Sequence, residues 1–315
     1  MAGLGLAVSR LSAVGASLTS SDYEEEIVRG ERDAADKVLD IALVGTISDV
    51  ASTGSRSLVA SIVAQLRQAR KDEHVKAVLI EMNTPGGGIT ASDILYHEVM
   101  LFRKERKIPV VVLSNDLMAS GGYYVAMAAD HVMAHETSVV GSIGVIAQLV
   151  NVKQLMQKVG VQMNVVKSQR PDGSESFKDI GSPYREMKPA ERALMQGMIQ
   201  KMWGRFVDVV AEGRKGRLSR KQVEDLADGR VWTGREALGL SLIDSVGYQD
   251  DAFRKAAELA HVSNPSLVRY QRSTGWLSSL LGVHQTLPAL GAWVEQSLDP
   301  AAASTPRLMY LWSVR

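Results

Sequence analysis

The chain has 315 residues, 45% of them hydrophobic and 23% charged, ordinary for a globular fold and enough to bury a full core. Its 36 Lys and Arg nearly cancel 35 Asp and Glu, so no net field draws nucleic acid or an acidic substrate. The absence of cysteine excludes disulfides, thiolate nucleophiles and Cys-ligated zinc.

Met1 to Ser20 is small and apolar, but it lacks a basic start and Arg10 interrupts it, so it reads as a peripheral lead-in rather than a signal peptide. No run nears the roughly 20 apolar residues that span a bilayer. Asp22 to Glu26 reads as a solvated linker. Val38 to Ile47 and Val75 to Met82 have the length and β-branched content of buried strands. Between them Leu58, Ile62 and Leu66 recur every four residues with arginines on other faces, which predicts a helix. Ala91 to Arg106 reads as a second helix and Ile108 to Leu113 as a third strand. Strands apolar on both faces and joined by helices predict an α/β fold with a mostly parallel sheet flanked by helices. Val132 to Ala134 and Val161 to Val166 are further strand candidates. Pro189 opens a long helix with an apolar face through Met195, Met198, Met202, Phe206 and Val209 that reads as core or subunit interface. Short helices follow around Arg220 to Ala227, Arg235 to Leu238 and Asp251 to His261, giving a helical C-terminal part. After Pro265, Trp276, Leu277, Leu280, Leu281, Leu287, Trp293, Leu308, Tyr310 and Trp312 put apolar bulk into a tail broken by Gly, Ser and Pro. The resulting division is a lead-in at 1–37, one domain at 38–262 and a tail at 263–315.

Chemistry is sought in the loops that follow the strands, the edge where parallel sheets bind ligands. Asn83-Thr84-Pro85-Gly86-Gly87-Gly88 can turn backbone N–H groups toward a bound anion. No Gly-Lys-Ser/Thr and no G-x-G-x-x-G accompanies it, which argues against a nucleotide and leaves an oxyanion hole. Met118-Ala119-Ser120-Gly121-Gly122 sets a serine at a strand-to-helix turn, where it is either a nucleophile or an ordinary helix N-cap. The six histidines offer no evident base with an acidic partner, and no H-E-x-x-H marks a zinc site. A lysine can act as base where burial lowers its pKa. The loop from Lys167 to Lys188 holds Lys178 beside Asp179, with Lys167 and Lys188 as rivals, and a solvated lysine is the common alternative for each. An Asp179 buried against Lys178 would hold the amine in its charged form.

N-T-P-G-G-G at 83–88, N-D-L-M-A-S-G-G-Y-Y-V-A at 115–126, V-G-S-I-G-V-I at 140–146, F-K-D-I-G-S-P-Y-R-E-M at 177–187 and D-G-R-V-W-T-G-R-E-A-L-G-L at 228–240 together resemble the signal peptide peptidase A, or protease IV, family. The resemblance runs in order from about residue 38 to 260. It implies the ClpP/crotonase-like fold and a Ser–Lys serine peptidase without metal, nucleotide or other cofactor. Ser120 matches the nucleophile, Lys178 the general base and Ser142 a serine that holds the lysine amine. Gly87 and Gly121 match the oxyanion hole, with Gly86 as a neighbouring candidate. The implied substrates are membrane-derived peptides such as remnant signal peptides, and the implied setting is membrane-associated or extracytoplasmic. Short members form homo-oligomeric rings with sites near subunit contacts. Two features depart from the family: no N-terminal membrane anchor is evident, and the loop from Gln169 to Ser176 is longer than usual. Peripheral membrane contact is therefore the expected form of attachment, with Leu308 to Val314 packing on the ring, visiting a peptide groove or lying on a membrane surface. A non-catalytic ring-forming scaffold and an acyl-CoA enzyme of the crotonase type are the competing readings.

Overall fold

Strands that are apolar on both faces need a cover on each side, and the fold supplies two. The computed structural model describes residues 23–31, 34–51, 56–174 and 176–272 and the backbone of 308–311. In chain order the elements begin β1 (Tyr23–Arg29), β2 (Lys37–Val44), α1 (Leu58–Ala69), β3 (Val75–Thr84), β4 (Gly86–Gly88), α2 (Ile89–Arg106), β5 (Val110–Ala119) and α3 (Gly121–Ala126). They continue with β6 (His131–Ala134), β7 (Val139–Gly141), β8 (Ile146–Ala147), α4 (Lys153–Lys158), α5 (Pro189–Gly213), α6 (Arg220–Leu226) and β9 (Val231–Thr233). The last are α7 (Gly234–Gly239), β10 (Ser245–Val246), α8 (Gln249–Leu259), β11 (Ser266–Arg272) and β12 (Leu308–Leu311).

Among the described residues a nine-stranded sheet runs β1-β11-β2-β3-β5-β6-β10, with β7 beside β5 and β9 beside β7. Pairing from β11 through β10 is parallel, while β1 on β11 and β9 on β7 are antiparallel. Side chains alternate across the sheet with the two-residue strand period. Leu39, Ile41, Val78, Ile80 and Val112 join Ile62, Leu95, Phe102, Tyr123 and Phe206 in the larger core, under α1, α2, α3 and α5. Val38, Ala77, Leu79, Val111 and Leu113 face the other way, onto Ala252 and Ala256 of α8. Each fully buried Leu or Ile is worth about 1.5–3 kcal/mol, so this interior, rather than local propensity, fixes the strands. At the far edge Arg214, 1% exposed, donates to the Asp244 carboxylate (2.9 and 3.1 Å) and the Ser241 carbonyl (2.8 Å), clamping the end of α5 to β6 and β10.

The structure departs from the sequence expectations in several places. The stretch read as a linker at Asp22–Glu26 is mostly strand β1, because its backbone pairs with β11 while its glutamates remain exposed. Ser266–Arg272 is not tail but an inner strand between β1 and β2, with Leu267 and Val268 buried, so the sheet extends on both sides of residues 38–262. Val161–Val166 forms no strand: it is exposed throughout, and among the described residues no strand pairs with it. It belongs to a long arm in which no described residue from 144 to 190 is buried. The N-terminal half of α5 is likewise open, and the apolar face predicted for it is buried only from Phe206 onward. Residues 1–22 and the tail residues Trp276, Leu277, Leu280, Leu281, Leu287, Trp293 and Trp312 lie outside the described residues. Among the described residues no helix is long and apolar enough to cross a membrane.

Candidate active site

Strands β2, β3 and β5 end side by side, and the loops at their ends converge. β3 closes on Thr84, whose Oγ1 donates to the Gly45 carbonyl (2.6 Å) and accepts from the Gly86 N–H (3.1 Å). Gly86 turns the chain at φ +94°, a conformation favouring glycine, and starts β4. The Gly86 carbonyl then accepts from Ile47 N–H (2.8 Å), and Gly88 N–H donates to the Ile47 carbonyl (2.9 Å). The C=O and N–H of one trans peptide point in opposite directions. Gly87 N–H and its carbonyl therefore both face away from Ile47, into the cleft. A Cβ on Gly87 would lie 2.1 Å from the Ile47 oxygen, so only glycine fits this close approach. Of the two loop glycines proposed from sequence as donors, Gly86 has its N–H on Thr84 Oγ1, whereas Gly87 N–H faces away from Ile47.

β5 runs on past Leu113 to Ala119, further than its apolar run predicts, and delivers Ser120 to the same place. Ser120 is buried and strained, at φ 52° and ψ −115°, and makes no side-chain helix cap. Its carbonyl accepts from Tyr124 N–H (2.9 Å), and its N–H donates to the Gly141 carbonyl (2.7 Å). The ordinary N-cap reading therefore does not apply. Gly121 follows as the first residue of α3, where an N–H has no acceptor within the helix. A Cβ on Gly121 would lie 3.1 Å from Gly87 N and 3.3 Å from Gly86 Cα, so Gly87 and Gly121 are in direct apposition.

Ser142 arrives by pairing: Ala119 is opposite Gly141, so Ser120 and Ser142 follow each other on neighbouring parallel strands. Ser142 also has positive φ (52°), and its N–H is fixed by the Arg230 carbonyl (2.8 Å) of the turn before β9. Ser120, Ser142, Gly87 and Gly121 are thus assembled by one sheet edge. Sequence reasoning passed over Thr84 and Ser92, which hold this edge. Buried Ser92 donates to the Gly88 carbonyl (3.0 Å) and fills the space beside Gly121. A hydroxyl two residues before a glycine is a recognisable turn signal at Thr84, whereas nothing local distinguishes Ser92.

Lys178 is not gathered in. It lies exposed on the arm, its N–H on Ser176 Oγ (3.2 Å), and among the described residues its ammonium has no hydrogen bond or ion pair. Asp179 does not hold it. That carboxylate is taken by Arg185 (2.7 Å) and Lys167 (2.6 Å), hydrogen bonds that keep it well below the usual carboxylate range against a smaller opposing effect of burial. Lys167 is thereby committed to a structural pair, with a second bond to the Ser176 carbonyl (3.3 Å), and Lys188 stands at the start of α5. Arg185 also bridges to Glu191 (2.5 Å), tying the arm to that helix. The histidines with mapped contacts are engaged elsewhere: His131 on Ser245 (2.8 Å), His135 on the Tyr248 ring and His74 on the Ala35 carbonyl (2.8 Å).

The sequence pattern of Peptidase family S49 matches residues 102–263, just over half of the chain. An inferred protease of Methanocaldococcus jannaschii is 40% identical over 205 residues, 65% of this chain and 63% of the relative. An inferred signal peptide peptidase SppA of Enterococcus faecium is 32% identical over 271 residues, covering 84% of this chain and 75% of the relative. The chloroplastic serine protease SPPA of Arabidopsis thaliana is 30% identical over 270 residues, 81% of this chain but 39% of that protein.

Proposed function

The chain belongs to peptidase family S49, and from that premise we propose that it is a serine endopeptidase of the Ser–Lys type, with Ser120 as nucleophile and Lys178 as general base. The observation that carries the reading is the strained, uncapped Ser120 set against the apposed Gly87 and Gly121. Lys178 Nζ takes the Ser120 Oγ proton as Oγ bonds to the peptide carbonyl carbon. The resulting oxyanion accepts from Gly87 and Gly121 N–H, and Ser142 orients the lysine amine. Collapse breaks the C–N bond, and the leaving amine takes the proton from Lys178. Water, deprotonated by Lys178, then frees the acyl group and restores Ser120.

A lysine works as base only when desolvated, and Lys178 is exposed in the isolated chain. The same arm exposes Val150 (73%), Leu155 (61%), Val159 (64%) and Val166 (99%), an apolar surface suited to burial against another copy of the chain. Assembly into a homo-oligomeric ring would cover this arm and dry the lysine. The proposed substrates are apolar peptides such as remnant signal peptides, in line with the name of the Enterococcus relative, met at a membrane surface. The test is fluorophosphonate labelling of the wild type, Ser120→Ala and Lys178→Ala. Labelling of the wild type is expected, with none of Ser120→Ala and with Lys178→Ala slowed by about 10²–10⁴. Labelling that survives Ser120→Ala sinks the mechanism.

A further inference from the structure

The second sheet of the structure has the order β4-β12-β8, so the C-terminal strand lies between the glycine strand of the cleft and the strand that follows Ser142. It is antiparallel to both: Met309 is opposite Gly88 on one side and Ile146 on the other, Leu308 is opposite Ala147, and Leu311 is opposite Gly86. The residue opposite Gly87 is Tyr310. Gly87 N–H and C=O both face away from Ile47, so in this register they face Tyr310, and an antiparallel pair of that kind exchanges both of its hydrogen bonds. The Tyr310 carbonyl therefore lies on the very N–H proposed to receive the oxyanion.

Resting on the peptidase reading above, we infer that Leu308–Leu311 is a resident occupant of the peptide groove, held as a substrate backbone would be, which must leave before a substrate binds. The arrangement also sets the direction of a bound peptide. Its acyl side runs past Ala147 and Gly88, its attacked carbonyl meets Gly87, and its leaving side passes Gly86. Recognition rests on main-chain hydrogen bonds to a strand made only of glycines, so the groove is tolerant of sequence on that side. Because the tail belongs to the same chain, its pairing is intramolecular and competes with a free peptide at an effective concentration rather than a bulk one.

The test uses the full-length chain in a Ser120→Ala background, so that nothing is turned over, with and without Met309→Pro. Proline removes the N–H of the residue paired on both sides and is not tolerated in a central strand. A fluorescein-labelled peptide of the sequence 308–315 is titrated against both and followed by anisotropy. Binding at least tenfold tighter to the Met309→Pro chain is expected, and Tyr310→Pro should act alike. Equal affinity for the parent and both proline chains overturns the inference. Fluorophosphonate labelling of the corresponding Ser120 proteins separates the two readings. Failure to label any of them counts against the peptidase assignment, while the affinity ratio still decides the role of the tail.

Discussion

Replacing Ser120 by glycine should stabilise the protein relative to Ser120→Ala, although both variants lose the nucleophile. Ser120 holds φ 52° and ψ −115°, near the mirror image of an extended residue, where a Cβ is strained and glycine is not. Such a conformation costs about 1–3 kcal/mol in a residue with a side chain. Alanine keeps that cost, because its Cβ stands where the serine Cβ did. Glycine relieves it but loses about 0.5–1 kcal/mol through the greater freedom of the unfolded chain. The expected difference is about 0–2.5 kcal/mol in favour of glycine. The packing change between the two variants is a single methyl. Urea unfolding of the two variants side by side, with equal slopes, reads the difference directly as a shift in midpoint. A glycine variant less stable than the alanine variant would refute the claim that the fold holds this residue under strain for its chemistry.

Gly121→Ala should remove about 10² or more from the rate of fluorophosphonate labelling for a stability loss of only about 1–3 kcal/mol, because the new methyl would press on Ser92 Oγ (2.4 Å) and on Gly87 N (3.1 Å). Labelling at the wild-type rate would remove the Gly121–Gly87 apposition from the mechanism. Burial, followed by the nearby Glu81 carboxylate, pushes the Asp40 carboxyl up to about 6 against the opposing pull of Arg269. Its folded pKa then lies above the unfolded value, so the stability it contributes is present in acid and lost as pH rises from about 4 through 6. Asp40→Asn should therefore gain about 2 kcal/mol on the wild type between pH 4 and pH 7, and a difference independent of pH in urea titrations would contradict this.

Short β-branched apolar runs were sufficient to find β2, β3 and β6, and helical spacing to find α1, α2 and α5, although α5 buries its apolar face only from Phe206 onward. The motif order pointed to Ser120, Ser142, Gly87, Gly121 and Lys178, of which the fold brings the first four to one sheet edge and leaves Lys178 on the arm. Local pattern misread Asp22–Glu26, whose exposed glutamates conceal a paired backbone, and Ser266–Arg272, whose partners are β1 and β2 far away in the sequence. It also could not separate Gly86 from Gly87. That distinction depends on which way each N–H points, and Thr84 and Ile47 decide it through bonds spanning up to 41 residues. Sequence alone left Asp179 as a rival partner for Lys178, and the structure removed it by giving the carboxylate to Lys167 and Arg185. The residue types needed for the chemistry are properties of the chain. Their directions, their competitors and the strand lying across the cleft are properties of the fold, because hydrogen bonds between distant segments exist only once those segments meet.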